Sequence, residues 1–364
     1  MSTRIRIGML RLTDSAPVAV AKARNLFKPL AIDAVLSIEP SWANIADKLS
    51  YGLLDAAVML PPLALSLAIG LRGPPAKLIV PMGLSQGGNT IVLRGEAPRD
   101  AAGLPPGARL LTWLRGQPRT PRIAVVHWYS THNLLLRYWL ALTGVDPDTA
   151  IETVVVPPEQ VVAALASGQI DGFCAGAPWG VTAQMSGIGN VLLGTSDIWP
   201  FHPEKCLAVR ADWACENPDA LTRVLRALMR AQALCDQPEE ADWIADVLGD
   251  PNGLALPRAA ARAALPGGNP DAPTREHITF HVAGAAHPAP PHGLWFLRQM
   301  RRWGWVDNDL DLSAAVASVY RPDLYALAAR MEDLFPLPGS AHSNATFEAV
   351  HPPNASDSAA AKFE

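Results

Sequence analysis

The sequence lacks several features that would place it quickly in a functional class. Its 364 residues include only four cysteines, and none forms a Cys-x-x-Cys pair, so the spacing predicts neither a zinc site nor a redox dithiol. We expect free buried thiols, as in a reducing compartment. The 30 Lys and Arg residues against 34 Asp and Glu form no basic run, which argues against nucleic acid as a direct partner. No apolar stretch is long enough to span a bilayer, so no membrane partner is predicted.

Catalytic motifs are missing as well. There is no P-loop, no His-Glu-x-x-His and no Gly-x-Gly-x-x-Gly after a strand. Residues 83–87 spell Gly-x-Ser-x-Gly, but they precede a strand and do not form a strand-to-helix elbow, so we interpret residues 85–89 as a polar loop. His127 and His132 are poorly spaced for a metal. We therefore predict a protein that is not an enzyme and that uses no metal and no cofactor.

No export leader is apparent at the N-terminus. Residues 4–10 already alternate like a first strand, and neither an apolar h-region nor a small-residue cleavage site precedes them. Taken as it stands, this N-terminus predicts a cytoplasmic protein.

What the sequence does contain is a repeated helix–strand pattern. Residues 45–61 and 161–178 each show an apolar helical stripe followed by Gly (Gly52, Gly168), two residues, Asp (Asp55, Asp171), an apolar run and Pro. Gly suits the left-handed position that ends a helix, and the apolar run is typical of a buried parallel strand. The repeat predicts two similar α/β lobes with a ligand cleft between them, although helix–Gly–strand is common in any α/β protein.

The order of predicted elements supports an α/β class. We expect lobe 1 to comprise residues 1–93 and about 206–335, and lobe 2 to comprise residues 94–205. Within this division, residues 95–120 resemble a Pro- and Gly-rich linker. Residues 336–364 lack periodicity and are predicted to form a disordered tail.

Hydrogen-bond donors occur at loop and helix-start positions: Trp42, Asn89, His132 and Lys205. Helix N-termini add backbone N–H groups and partial positive charge, so donors that met in a cleft would suit a small oxyanion. Each residue also has an ordinary interpretation. Trp42 could pack in a core, His132 could cap a helix, and Lys205 beside Glu204 could form a solvated pair. Periodicity does not show that they converge.

Several segments resemble the nitrate-binding proteins of ABC transporters, over about residues 4–335. The segments that carry the resemblance are Ser41-Trp42-Ala43, 132–141 with 144–147, 155–158, 171–174, 202–205, 292–296 and 299–304. The resemblance implies the type II periplasmic-binding-protein fold, with two lobes, a hinge and nitrate or bicarbonate in the cleft.

It also implies a binding site. The nitrate binders use a Trp, an amide after a Gly, a His and a Lys, which correspond to Trp42, Asn89 with Gly88, His132 and Lys205. Asn in place of Gln shortens the reach of the amide. Ala177 stands before Pro178-Trp179 where the family commonly has Glu. Nitrate only accepts hydrogen bonds, and nitrite could share its site, so a donor-only site with a lysine favours these anions over bicarbonate, which also donates.

Three functional hypotheses remain. The first combines the predicted location with a resemblance to the cytoplasmic nitrate/nitrite sensor NasS. That resemblance implies a sensor that holds a NasT-type RNA-binding antiterminator without ligand and releases it when the anion closes the lobes. The second is the solute-binding component of a nitrate ABC importer. The third is an enzyme on the same fold, similar to thiamin-pyrimidine synthases.

Overall fold

The computed structural model describes residues 2–95, 103–268 and 276–332. The strands of these residues are β1 (Thr3–Met9), β2 (Ile32–Ile38), β3 (Ala56–Met59), β4 (Leu78–Gly87), β5 (Asn89–Arg94), β6 (Arg122–Val125), β7 (Glu152–Val155), β8 (Gly172–Gly176), β9 (Gly189–Gly194), β10 (Pro203–Arg210) and β11 (Ile278–Thr279). The helices are α1 (Ala16–Ala23), α2 (Trp42–Ser50), α3 (Pro61–Ala68), α4 (Pro106–Arg115), α5 (Thr131–Leu142), α6 (Val161–Ser167), α7 (Trp179–Met185), α8 (Ala211–Glu216), α9 (Pro218–Cys235), α10 (Ala241–Gly249), α11 (Arg258–Ala264), α12 (Pro290–Arg302), α13 (Leu312–Val319) and α14 (Pro322–Arg330).

The strands form two sheets of matching design. The first has the order β11-β4-β10-β3-β1-β2 and the second β7-β6-β8-β5-β9. In the first, β1 is parallel to β2 and β3, and β10 lies antiparallel against β3. In the second, β6 is parallel to β7 and β8, and β5 lies antiparallel against β8. Parallel strands linked by helices are the expected product of repeated strand–helix–strand units, and the α/β prediction is confirmed.

The sequence repeat corresponds to this duplication. Gly52 and Gly168 have φ of 71° and 74°, which a side chain with a Cβ adopts only at a cost, and each follows a helix (α2, α6). The aspartates three residues later play equivalent parts. Asp55 accepts a hydrogen bond of 2.8 Å from the backbone N–H of Arg6, and Asp171 accepts one of 2.8 Å from Arg122. Each carboxylate therefore ties the repeated segment to a parallel strand of its own sheet, β1 or β6.

The chain changes sheets between β4 and β5 and again between β9 and β10. Strand β5 pairs with the second sheet, whereas β10 pairs with the first. The sequence-based lobe boundaries at 93/94 and 205/206 therefore lie a few residues after the changes of sheet. At the first boundary the reason is that β4 passes into β5 through Gly88 alone, without a loop that composition would reveal. The predicted tail at 336–364 lies outside the described residues.

Three local expectations were wrong. Residues 85–87 belong to β4, because Ser85 and Gln86 pair with β10 and form no loop. The predicted linker contains the helix α4, in which Leu110 and Trp113 are buried. Cys215 is exposed, although the other three cysteines are free and buried as expected.

Amphipathic helices cover the sheets and enclose the core. Helix α9 buries one face, with ten of its residues inaccessible, and packs against α1. Within the described ranges no helix is both long enough and apolar enough to cross a bilayer.

Candidate functional site

The predicted donors lie together where the two lobes meet. Trp42 starts α2, Asn89 starts β5, His132 lies in the first turn of α5, and Lys205 lies in β10. All four side chains are at most 1% exposed. Assigned by sheet, Trp42 and Lys205 belong to lobe 1 and Asn89 and His132 to lobe 2, so the site spans the cleft.

The first turns of α2 and α5 are built alike. The hydroxyl of Ser41 accepts a hydrogen bond of 3.1 Å from the backbone N–H of Asn44, and Ser130 accepts one of 3.1 Å from Asn133. Such serine caps fix where a helix begins. They therefore fix the positions of the adjacent Trp42 and His132 in the cleft, and the helix N-termini add partial positive charge there.

Lys205 is the centre of a buried ion-pair cluster. Its Nζ lies 2.7 Å from Oδ2 of Asp14 and 2.6 Å from Oε1 of Glu204, and 5.4 Å from the ring centroid of Trp42. The interpretation of Lys205 and Glu204 as a solvated pair is therefore wrong, because both side chains are inaccessible. The second ionic partner, Asp14, comes from the turn after β1, which sequence spacing does not connect to β10.

Glu204 joins the lobes. Its Oε2 accepts a hydrogen bond of 2.6 Å from the amide of Asn89, and its Oε1 lies 3.5 Å from Nε2 of His132. Nδ1 of His202 lies 3.7 Å from Oε2, and Nε2 of the same ring is 2.7 Å from the hydroxyl of Thr195. The carboxylate of Glu204, on β10, thus contacts three predicted ligand donors. These are Lys205 of lobe 1 and Asn89 and His132 of lobe 2.

The charge states follow from burial and from these contacts. Burial opposes ionisation of Glu204, but the charge and the hydrogen bond of Lys205 act against it, and the pKa of the carboxyl is lowered to about 2. Burial also opposes the charge of Lys205, yet Asp14 and Glu204 raise the pKa of its ammonium. Burial raises the pKa of Asp14, and Lys205 only partly offsets this. Glu204 and Lys205 are therefore both charged at neutral pH.

The imidazoles of His132 and His202 are neutral at pH 7. Burial is the main cause of the shift of His132, whose pKa falls to about 3, and Glu204 offsets it incompletely. Burial likewise lowers the pKa of His202. A neutral imidazole still has one N–H to donate. The cluster therefore combines one cation, buried carboxylates and neutral donors.

The site is rich in buried polar atoms without a partner among the described residues. They are Oδ1 of Asp14, Nε1 of Trp42, Oγ of Ser85, Oδ1 of Asn89 and both ring nitrogens of His132. Ser85 shares this location because it is the cross-strand neighbour of Lys205. Folded proteins leave few such atoms unpaired, and each costs about 1–3 kcal/mol. Their concentration in one cluster is typical of a place prepared for a polar ligand.

Sequence reasoning missed several residues that border this cluster. Asp14 and Glu204 supply acceptors, so the expectation of a donor-only site is wrong. Gly176 also borders it, since a Cβ there would lie 3.3 Å from Oδ1 of Asn89 and 3.5 Å from Oδ2 of Asp14. Two adjacent charged residues, Glu204 and Lys205, stand near the start of β10 and are followed by four apolar residues, 206–209. This pattern was the one signal in the sequence that could have revealed the ion pair.

Gly88 and Ala177 hold the backbone at the change of sheet. The carbonyl of Gly88 accepts a hydrogen bond of 2.8 Å from the N–H of Ala177, and the carbonyl of Ala177 accepts one of 2.9 Å from Thr13. Gly88 connects β4 to β5 immediately before Asn89. The hydrogen bond to its carbonyl ties this connection to the segment after β8. Although Ala177 carries no carboxylate, Asp14 and Glu204 bring two to the cluster.

Comparison with known proteins agrees with this architecture. Residues 1–249 match the NMT1-like family. The nitrate/nitrite binding protein NrtA of Synechococcus elongatus is 30% identical over 342 residues, covering 90% of this chain and 77% of that protein. The nitrate import ATP-binding protein NrtC of Synechocystis is 34% identical over 360 residues, which cover 94% of this chain and 52% of NrtC. The chain thus spans about half the length of NrtC and about three quarters of NrtA.

Solved structures show the same fold. The periplasmic nitrate-binding protein NrtA of Synechocystis matches with a TM-score of 0.85 and 29% identity, covering 93% of this chain and 92% of that one. The aliphatic sulphonate binding protein SsuA of Escherichia coli matches with a TM-score of 0.62 and 16% identity, covering 86% and 91%. The predicted two-lobe periplasmic-binding-protein fold is confirmed, and the chain belongs to the NMT1-like family.

Proposed function

We propose that this protein binds nitrate or nitrite between its lobes and serves as the solute-binding part of a nitrate import system. The observation that carries the proposal is the cluster around Lys205 of buried polar atoms, supplied by both lobes, that have no hydrogen-bond partner among the described residues. Similarity to the nitrate-binding NrtA proteins supports the ligand, and similarity to the nitrate import protein NrtC supports the transport role. The ligand-binding residues in this proposal are Trp42, Gly88, Asn89, His132 and Lys205.

A small planar anion suits these residues. Trp42 and His132 each have an N–H without a partner in the described part of the chain, and Lys205 brings an ammonium group, paired with Asp14 and Glu204, to the cluster. A hydrogen bond that involves a charged group contributes about 1.5–3 kcal/mol. Loss of one such contact should therefore weaken binding roughly 10- to 100-fold.

The test is calorimetric titration of the purified chain with nitrate, nitrite, bicarbonate and sulfate. We expect saturable binding of nitrate or nitrite alone. Lys205→Ala should weaken it, and Lys205→Glu should abolish it by repulsion. Lys28→Ala, which alters an exposed lysine of the same lobe, is the matched control and should bind like the wild type. Binding of none of the four anions, or normal binding by Lys205→Glu, would refute the proposal.

A second candidate is a cytoplasmic nitrate/nitrite sensor that holds a NasT-type antiterminator and releases it on anion binding. The feature that favours it is Glu204, whose contacts with Asn89 and His132 couple the site to the packing of the lobes. A partner that recognises one lobe arrangement would then be linked reciprocally to the anion. The importer has the stronger support, because the relatives named above are import or binding proteins.

The two candidates differ in their partner. Co-purification with a NasT-type protein that nitrate disrupts would support the sensor, and co-purification that nitrate leaves unchanged would refute it. Cell fractionation decides the location, which we propose to be cytoplasmic for the sensor.

A further inference from the structure

The buried site contains no excess positive charge to receive an anion. Lys205 supplies one positive charge and Glu204 one negative charge, and His132 and His202 are neutral. Asp14 makes the sum negative if it is ionised and leaves it at zero if it is protonated. In both cases a bound monoanion leaves an uncompensated negative charge in a region that water does not reach. Such charge is strongly disfavoured unless a proton or cation neutralises it.

His132 is the group best placed to provide that neutralisation. Neither ring nitrogen has a hydrogen-bond partner in the part of the chain that the structure describes, and the side chain is fully buried. The charged and titratable groups that face it are Glu204, Lys205 and His202, all from β10 and the residue before it. Of these, Glu204 contacts the ring, with its Oε1 at 3.5 Å from Nε2.

Asp14 competes with His132 for this proton, because burial raises the pKa of its carboxyl. Its Oδ2 lies 2.7 Å from the ammonium of Lys205, and protonation would weaken that ion pair. Protonation of His132 has the opposite effect. It would turn the 3.5 Å contact with Glu204 into an ionic hydrogen bond and leave the Nδ1–H to donate to the ligand.

We propose that the oxyanion binds together with one proton taken from solvent, and that the imidazole of His132 receives this proton. The inference rests on the proposed anion binding. The first turn of α5 disfavours a cation, and burial keeps the pKa of the ring at about 3 before the anion arrives. A negative charge about 4 Å away in a medium of effective dielectric about 20 raises the proton affinity of an imidazole roughly 1,000-fold. Binding should therefore be tighter at acidic pH and weaken as the pH rises.

Two measurements on the wild-type chain test this directly. Potassium nitrate is added to the protein in weakly buffered solution at pH 5, and the acid needed to restore the pH is measured. We expect it to approach one equivalent per nitrate bound. The dissociation constant, measured from pH 4 to pH 8, should rise by up to about tenfold per pH unit in the acid part of this range and level off towards pH 8, as linkage to one proton requires. Saturable binding with no acid requirement and a flat profile would overturn the inference, whereas no binding at any pH would overturn the proposed function.

Variants of Glu204 and His132 test which side chains are responsible for the proton uptake. Glu204→Gln removes one negative charge, so nitrate should bind it without proton uptake and with little pH dependence. His132→Gln keeps a donor that does not titrate, so binding should be weaker and its pH profile flat. Glu152→Gln, an exposed carboxylate far from the cluster, is the control and should keep the wild-type profile.

Undiminished proton uptake by His132→Gln would overturn the assignment to His132. Imidazole nitrogen chemical shifts of the labelled wild-type protein give an independent check that needs no variant. The His132 ring should change from neutral to imidazolium when nitrate is added, and a ring that stays neutral contradicts the proposal.

Discussion

Replacement of Lys205 by methionine tests the ion-pair cluster most directly. The ammonium is buried between Asp14 and Glu204, at 2.7 Å and 2.6 Å. Methionine keeps most of the volume and removes the charge, which leaves two carboxylates buried without a cation. Loss of one partner from a buried ion pair typically costs about 3–5 kcal/mol. We expect the free energy of unfolding at pH 7 to fall by about this amount.

The pH dependence gives a second value for the contribution of the ion pair to the free energy of unfolding. The pKa of Glu204 is lowered from 4.5 to about 2 in the folded protein. A depressed carboxyl pKa contributes stability that is fully present above the unfolded value of 4.5 and is lost as the pH falls through 4.5 towards 2. The shift corresponds to about 3 kcal/mol, in agreement with the value from the ion pair.

Urea unfolding of both proteins between pH 7 and pH 3 measures the effect. Without Lys205 the carboxyl pKa values should rise, so the deficit of the variant should shrink as acid protonates the carboxylates. Lys28→Met, at an exposed lysine, controls for the substitution itself. Equal unfolding free energies of Lys205→Met and wild type at pH 7, or a deficit that grows in acid, would refute the reasoning.

Three further predictions concern other parts of the molecule. Trp42→Phe removes an indole N–H that has no partner among the described residues, so nitrate affinity should fall about tenfold or more in calorimetry while the thermal midpoint stays nearly unchanged. Asp55→Asn and Asp171→Asn should each lower the unfolding free energy by about 1–3 kcal/mol in urea, and by similar amounts, because both accept a strand N–H. Gly168→Ala should cost about 1–2 kcal/mol in the same assay, because φ is 74° there.

The duplicated scaffold could be predicted from the sequence because its determinants are local. The glycine that ends a helix and the aspartate three residues later act within one helix–strand unit, and the same signal appears in both lobes. The change of sheet at Gly88 could not be predicted in the same way. Strand β5 is an apolar run like any other, and its sheet is decided by pairing with β8, more than 75 residues away.

The donors of the site were predicted individually, but their surroundings were not. Nothing in the spacing relates Asp14 to Lys205, and a charged pair such as Glu204-Lys205 is exposed in most proteins. These side chains are buried together because β10 returns from lobe 2 to the centre of the first sheet and brings both charges to the turn after β1. The acceptors of the site therefore depend on the crossing of the chain between lobes, whereas the donors follow from helix starts that each lobe specifies alone.

The acceptors of the site change how much an anion contributes to closure of the lobes. A site made only of donors would attract an anion in any lobe arrangement, with the lobes free to separate. Here Glu204 already engages Asn89 and His132 across the cleft, so part of the attraction between the lobes is present without a ligand. An anion must then share these donors with Glu204, and its net contribution to closure is the difference between two sets of contacts. Protonation of His132 resolves the competition, because an imidazolium can donate to Glu204 and to the anion at the same time.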